Sequence, residues 1–75
     1  MQLEEIIETL FKTQMSDIHQ RSTDPYKEWV EFIDQQGIGV KATIKYNFGI
    51  FTPYMYDYQI TNKKHWVLAR LKFGV

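Results

Sequence analysis

The chain has 75 residues, no cysteine, and nine Lys and Arg against nine Asp and Glu, a formal net charge of +0. That length supports one small domain, 1–75, which buries roughly 60 to 65 per cent of the surface its unfolded chain exposes. The lack of cysteine excludes disulfides and thiolate metal sites, and the even charge balance gives no strongly basic footprint for nucleic acid.

Aromatic residues make up 16% of the chain, and such large side chains can build a dense core from few positions. The opening Met1-Gln2-Leu3-Glu4-Glu5 is acidic where a targeting peptide is basic. No apolar run approaches the roughly 20 residues of a membrane span. The expectation is a soluble, cytoplasmic protein that does not engage membranes. Charge is divided along the chain: residues 1–36 carry eight acids against Lys12, Arg21 and Lys27, a net of −5. The remainder carries Lys41, Lys45, Lys63, Lys64, Arg70 and Lys72 against Asp57, a net of +5. The first half is acidic and the second basic.

Leu3, Ile6, Ile7, Leu10 and Phe11 recur at i, i+3, i+4, i+7 and i+8, the stripe of an amphipathic helix. Glu4, Glu5 and Glu8 suit the positive end of its dipole. Beyond Lys12 the stripe meets Gln14, with Met15 at its edge and Ile18 returning to it, so the helix either continues with a polar interruption or bends. Ser22-Thr23-Asp24-Pro25 restarts the pattern, Asp24 as N-cap and Pro25 at the first helical position. Tyr26, Trp29, Val30 and Ile33 form a second stripe, and Gly37 suits a left-handed closure.

From Ile38 onward the period changes to two. Val40, Ala42, Ile44 and Tyr46, then Tyr54, Tyr56, Tyr58 and Ile60, then Val67, Ala69, Leu71 and Phe73 read as three strands, each with one apolar face. The first two are joined through residues 47–53, either by a three-residue hairpin with Gly49 left-handed or, given Pro53, by a longer loop or bulge. The last two are joined through Thr61-Asn62-Lys63-Lys64. The predicted architecture is α+β: two N-terminal helices packed on one face of a three-stranded antiparallel β-meander, ααβββ.

On this reading the open face of the sheet collects Lys41, Thr43, Lys45, Met55, Asp57, Gln59, Trp66, Leu68, Arg70 and Lys72. Enzymatic chemistry finds little support: the serines are Ser16 and Ser22, and the two histidines fall in different predicted elements. No catalytic residue, cofactor or metal site is assigned. Asp17 and His19 point in different directions from a helix, and His65 reads as a rim residue. A Trp beside several cations matches the stacking platforms of single-strand binders. The stronger pattern is an aromatic and Arg-bearing interface core.

The expected function is therefore a small binding or regulatory module, not an enzyme, acting on a protein partner or as a homodimer. Small inhibitor and immunity proteins share its size and composition. The alternative is single-stranded nucleic-acid binding by the basic sheet face. The candidate contact residues are Trp66, Leu68, Arg70, Lys41 and Lys45 on the open face, with Phe48 and Phe51 in the loop.

Overall fold

The computed structural model describes residues 2–46 and 53–75. In chain order the elements are α1 (Leu3–Leu10), α2 (Lys12–Arg21), α3 (Pro25–Gln35), β1 (Val40–Tyr46), β2 (Pro53–Ile60) and α4 (Lys63–Phe73). The class is α+β, but among the described residues the sheet is two-stranded and antiparallel, and a fourth helix replaces the expected third strand.

The first apolar stripe does bend, at Phe11 and not at Gln14. Phe11 leaves helical geometry with φ −113° and ψ 27°. Hydrogen bonds from Phe11 N–H to the Ile7 carbonyl (3.1 Å) and from Met15 N–H to the Phe11 carbonyl (2.9 Å) carry the chain through the bend. The stripe resumes as Phe11, Met15 and Ile18, and Gln14 is left exposed. Asp24 caps α3 by accepting the Lys27 N–H at 3.3 Å, with Pro25 next to it.

In the sheet, Val40 pairs with Ile60, Ala42 with Tyr58 and Ile44 with Tyr56. Val40, Ala42, Tyr56 and Tyr58 are buried, while Lys41, Thr43, Lys45 and Gln59 face outward. The alternation therefore placed these residues on their faces, but Ile60, expected on the covered side, is 42% exposed at the end of β2. An isolated two-stranded ribbon is marginal in water, and here its inner face joins a core that includes Ile6, Ile7, Phe11, Ile18, Trp29 and Ile33.

The third strand fails for local reasons. The Asn62 side chain accepts the His65 N–H at 3.1 Å, a cap for a helix start. The run that follows is dominated by Lys, Leu, Ala and Arg, which favour helix, with a single β-branched residue, Val67. Arg70 and Lys72 suit the negative end of its dipole, and Gly74, at φ 72°, ends it while Val75 N–H returns to the Arg70 carbonyl at 3.0 Å. The alternation Val67, Ala69, Leu71, Phe73 thus does not mark one face. At helical spacing the buried residues are Trp66 and Ala69, and Phe73, 40% exposed, meets Phe11 one turn further on.

The approach of α4 to the sheet depends on Gly39. Its carbonyl accepts the N–H groups of Thr61 (2.8 Å) and Asn62 (3.2 Å), and its φ is 76°. A Cβ there would overlap the Asn62 carbonyl oxygen and press on His65 and the Trp66 backbone. Gly37 shares the left-handed geometry, at φ 64°, but has open space around it. Gly39→Ala is therefore expected to lose about 2 to 4 kcal/mol, strain plus overlap, and Gly37→Ala about 1 kcal/mol. Urea unfolding of the two variants side by side measures the difference, and equal losses would contradict the close approach of α4.

Candidate functional site

The anticipated contact residues are distributed over three places. Trp66, expected on the open face, is 6% exposed and belongs to the core, so it offers neither a stacking platform nor an interface anchor. The cause is the change of element: in a helix, Trp66 shares the inward side with Ala69. Lys41 and Lys45 do lie on the outer face of the sheet, and Lys45 pairs with Asp57 at 3.7 Å. Leu68 and Arg70 are exposed on α4, where Arg70 Nε–H donates to the Val75 carbonyl at 3.2 Å. Phe48 and Phe51 lie outside the described residues, but Tyr46 pairs with Pro53 and the register shifts between Lys45 and Tyr46, so the strands are joined by the longer connection with an irregularity and not by the three-residue hairpin.

The outward side of α4 is where apolar surface meets water. Val67 and Leu68 are each 55% exposed and Leu71 is 76% exposed. Val67 and Leu71 are four apart, Leu68 and Leu71 three apart, so the three side chains form one patch on successive turns. Lys64 precedes this patch by one turn, and Lys72 follows Leu68 by one turn. The helix carries four cations, Lys63, Lys64, Arg70 and Lys72, and no acid. Beside it, Gly37, Ile38, His65, Leu68, Lys72 and Phe73 are among the residues that line a groove of ≈ 240 Å³.

Sequence reasoning assigned Val67 and Leu71 to the covered side and so missed the patch. The signal that could have found it was Asn62 as a cap, followed by an acid-free run ending in Gly74.

A second groove, of ≈ 570 Å³, runs between α2 and α3. Ile18 and Phe32 supply its apolar part, and Asp17, Glu28 and Glu31 its acidic part. Arg21 spans it, bonded through Nε to Asp17 at 2.8 Å and through its outer nitrogens to Glu28. These hydrogen bonds hold Glu28 below the ordinary carboxylate range and raise Arg21 further above its own. Both groups are exposed, so the ion pairs shape the groove more than they stabilise the fold.

The polar chemistry inside the molecule centres on two tyrosines. The Trp29 indole N–H donates to the Tyr58 hydroxyl at 3.0 Å, and that hydroxyl donates to Glu8 Oε2 at 2.8 Å. A hydrogen bond of 2.9 Å joins the Tyr56 hydroxyl and His19 Nε2. Burial raises the pKa of both tyrosines well above the usual range, with acidic neighbours adding to it. A phenol held neutral in this way is a structural hydrogen-bonding group and a poor nucleophile or base at neutral pH. Among the described residues, no group of three or more His, Asp and Glu is arranged to hold a metal ion, and no helix is long and apolar enough to cross a membrane. Comparison with protein-family models, with curated proteins and with solved structures finds no match for this chain.

The raised tyrosine pKa values set a pH dependence. A group whose folded pKa lies above its unfolded value contributes fully below the unfolded pKa and loses that contribution as pH rises through the folded pKa. Stability is thus expected to fall above about pH 10, by up to roughly 1.4 kcal/mol per pH unit for each of Tyr56 and Tyr58. Tyr58→Phe should lose about 1 to 3 kcal/mol at neutral pH, because the Trp29 N–H loses its acceptor, and should show a shallower alkaline decline. Urea titrations of both proteins between neutral and alkaline pH test the two effects together. Equal slopes would show that Tyr58 ionises as freely in the folded protein as in the unfolded chain.

Proposed function

We propose that this chain is a small, non-enzymatic binding module of the cytoplasm that acts through protein contact, and that the outward side of α4 is its contact surface. The observation that carries the reading is the patch of Val67, Leu68 and Leu71 held open to water between Lys64 and Lys72. Large aliphatic side chains at the centre with cations at the margin follow the organisation of a protein interface, where the centre is depleted of charge and the rim is polar. Lys63 and Lys64 stand at the positive end of the α4 dipole, where cations reduce helix stability. Their placement is better accounted for by an acidic partner than by the helix itself. The partner this surface fits presents an apolar groove with carboxylates along its edges.

Nucleic-acid binding by the sheet loses the feature that suggested it, since Trp66 is in the core and Lys45 is paired with Asp57. Three aliphatic side chains among the cations of α4 also have no use against phosphates.

The test compares the wild-type chain with Leu68→Ser/Leu71→Ser in cross-linking and capture from cells, after circular dichroism has shown that both are folded. Both positions are exposed, so the double variant should lose less than about 1 kcal/mol of stability yet lose its cross-linked protein. Proteins captured equally by both forms would reject α4 as the contact surface. Salt-sensitive oligonucleotide binding that survives Leu68→Ser/Leu71→Ser and is lost in Lys64→Gln/Lys72→Gln would replace the protein reading with a nucleic-acid one.

A further inference from the structure

We infer that the protein taken by α4 is a second copy of this chain, whose α2–α3 groove receives the patch of Val67, Leu68 and Leu71; this rests on the contact surface proposed above. The groove has the chemistry that patch requires. Its apolar part is Ile18 and Phe32, and its carboxylates are Asp17, Glu28 and Glu31, two of which Arg21 partly neutralises. Against these, α4 brings aliphatic side chains between Lys64 and Lys72 and no acid of its own. Each surface has what the other lacks. With opposite charge on the two halves and a formal net charge of +0, copies of the chain meet without overall repulsion, and the local fields align one copy's α4 with the other's groove.

Both surfaces are anchored on the same core. The Phe11 ring lies between Phe32, in the groove, and Phe73, at the end of α4, with ring centroids 5.5 and 5.9 Å away. Two complementary surfaces carried by one molecule can pair with those of a second copy about a two-fold axis, so that each α4 enters the other copy's groove. Both contacts are then satisfied in a closed dimer, and nothing is left to propagate a chain of copies.

Charge reversal on the two sides separately tests this. Lys64→Glu/Lys72→Glu places acids at both margins of the α4 patch, and Glu31→Lys/Gln35→Lys makes the groove basic; all four positions are exposed, and circular dichroism checks that each variant is folded. Sedimentation at low and at physiological salt should show a wild-type dimer that dissociates on dilution. Each variant alone should associate at least about tenfold more weakly, because like charges now face each other. An equal mixture of the two should recover dimerisation, since the acid-flanked patch of one matches the basic groove of the other and the remaining two surfaces keep their native charges. Leu71→Ser should weaken dimerisation without altering any charge.

A wild-type chain that stays monomeric, variants that dimerise unchanged, or a mixture that stays monomeric would overturn the inference. Species that grow past the dimer with concentration would overturn the two-fold pairing. A monomeric wild type whose captured protein is nevertheless lost in Leu68→Ser/Leu71→Ser would remove the second copy while leaving α4 as a surface for a foreign protein.

Discussion

The Tyr58 hydroxyl accepts the Trp29 indole N–H and donates to the Glu8 carboxylate, and in doing so joins β2 to α3 and α1. Trp29 is fully buried and stacks on Phe32 at 5.5 Å with the ring planes 17° apart. A buried indole N–H without an acceptor would carry a full desolvation penalty, so packing of the ring and satisfaction of its polar atom fix each other. Area burial alone would hold the helices loosely over two strands. The hydrogen bonds select one arrangement, because they require Trp29, Tyr58 and Glu8 to meet at one point. Among the described residues, no buried side-chain nitrogen or oxygen is left without a partner.

Around that point the small sheet acquires its cover. Tyr56 lies within 5.9 Å of the Tyr26 ring and 6.1 Å of the Trp29 ring. Aromatic contacts of this kind allow a few large residues to close a core that a chain of this length could not fill with aliphatics. At the other end, Phe11 meets both Phe32 and Phe73 edge-on. The bend at Phe11 serves this geometry: it lets one apolar stripe pass from α1 to α2 while a single ring faces α3 and α4 together.

The relation of α4 to the rest differs in kind. Its inner side gives Trp66 and Ala69 to the core, and Gly39 holds its first turn close to β1. An isolated helix of 11 residues is below the length at which helices are stable in water, so α4 depends on that one-sided anchorage. Covering the opposite side would add burial where the free chain has none. Binding and folding of α4 are in this sense linked, since any partner that seats Val67, Leu68 and Leu71 also stabilises the helix that presents them.

Much of this arrangement was legible from residue order. The stripe of α1, the Asp24-Pro25 start of α3 and the inward side of both strands follow from periodicity and capping, which are local and act through neighbouring residues. The chain carried equally local signs of α4 in Asn62, Gly74 and the Lys, Leu and Ala between them, but its alternating apolar residues also satisfy a strand pattern. Periodicity alone does not separate the two when both sides of a helix are apolar. That ambiguity decided the fate of the anticipated site. The sequence by itself determined the charge division, the lack of thiol chemistry and the pairing parity of β1 and β2. Only the tertiary structure decided that Trp66 turns inward while Val67, Leu68 and Leu71 turn outward, because that depends on which side of α4 Gly39 and the core leave room for.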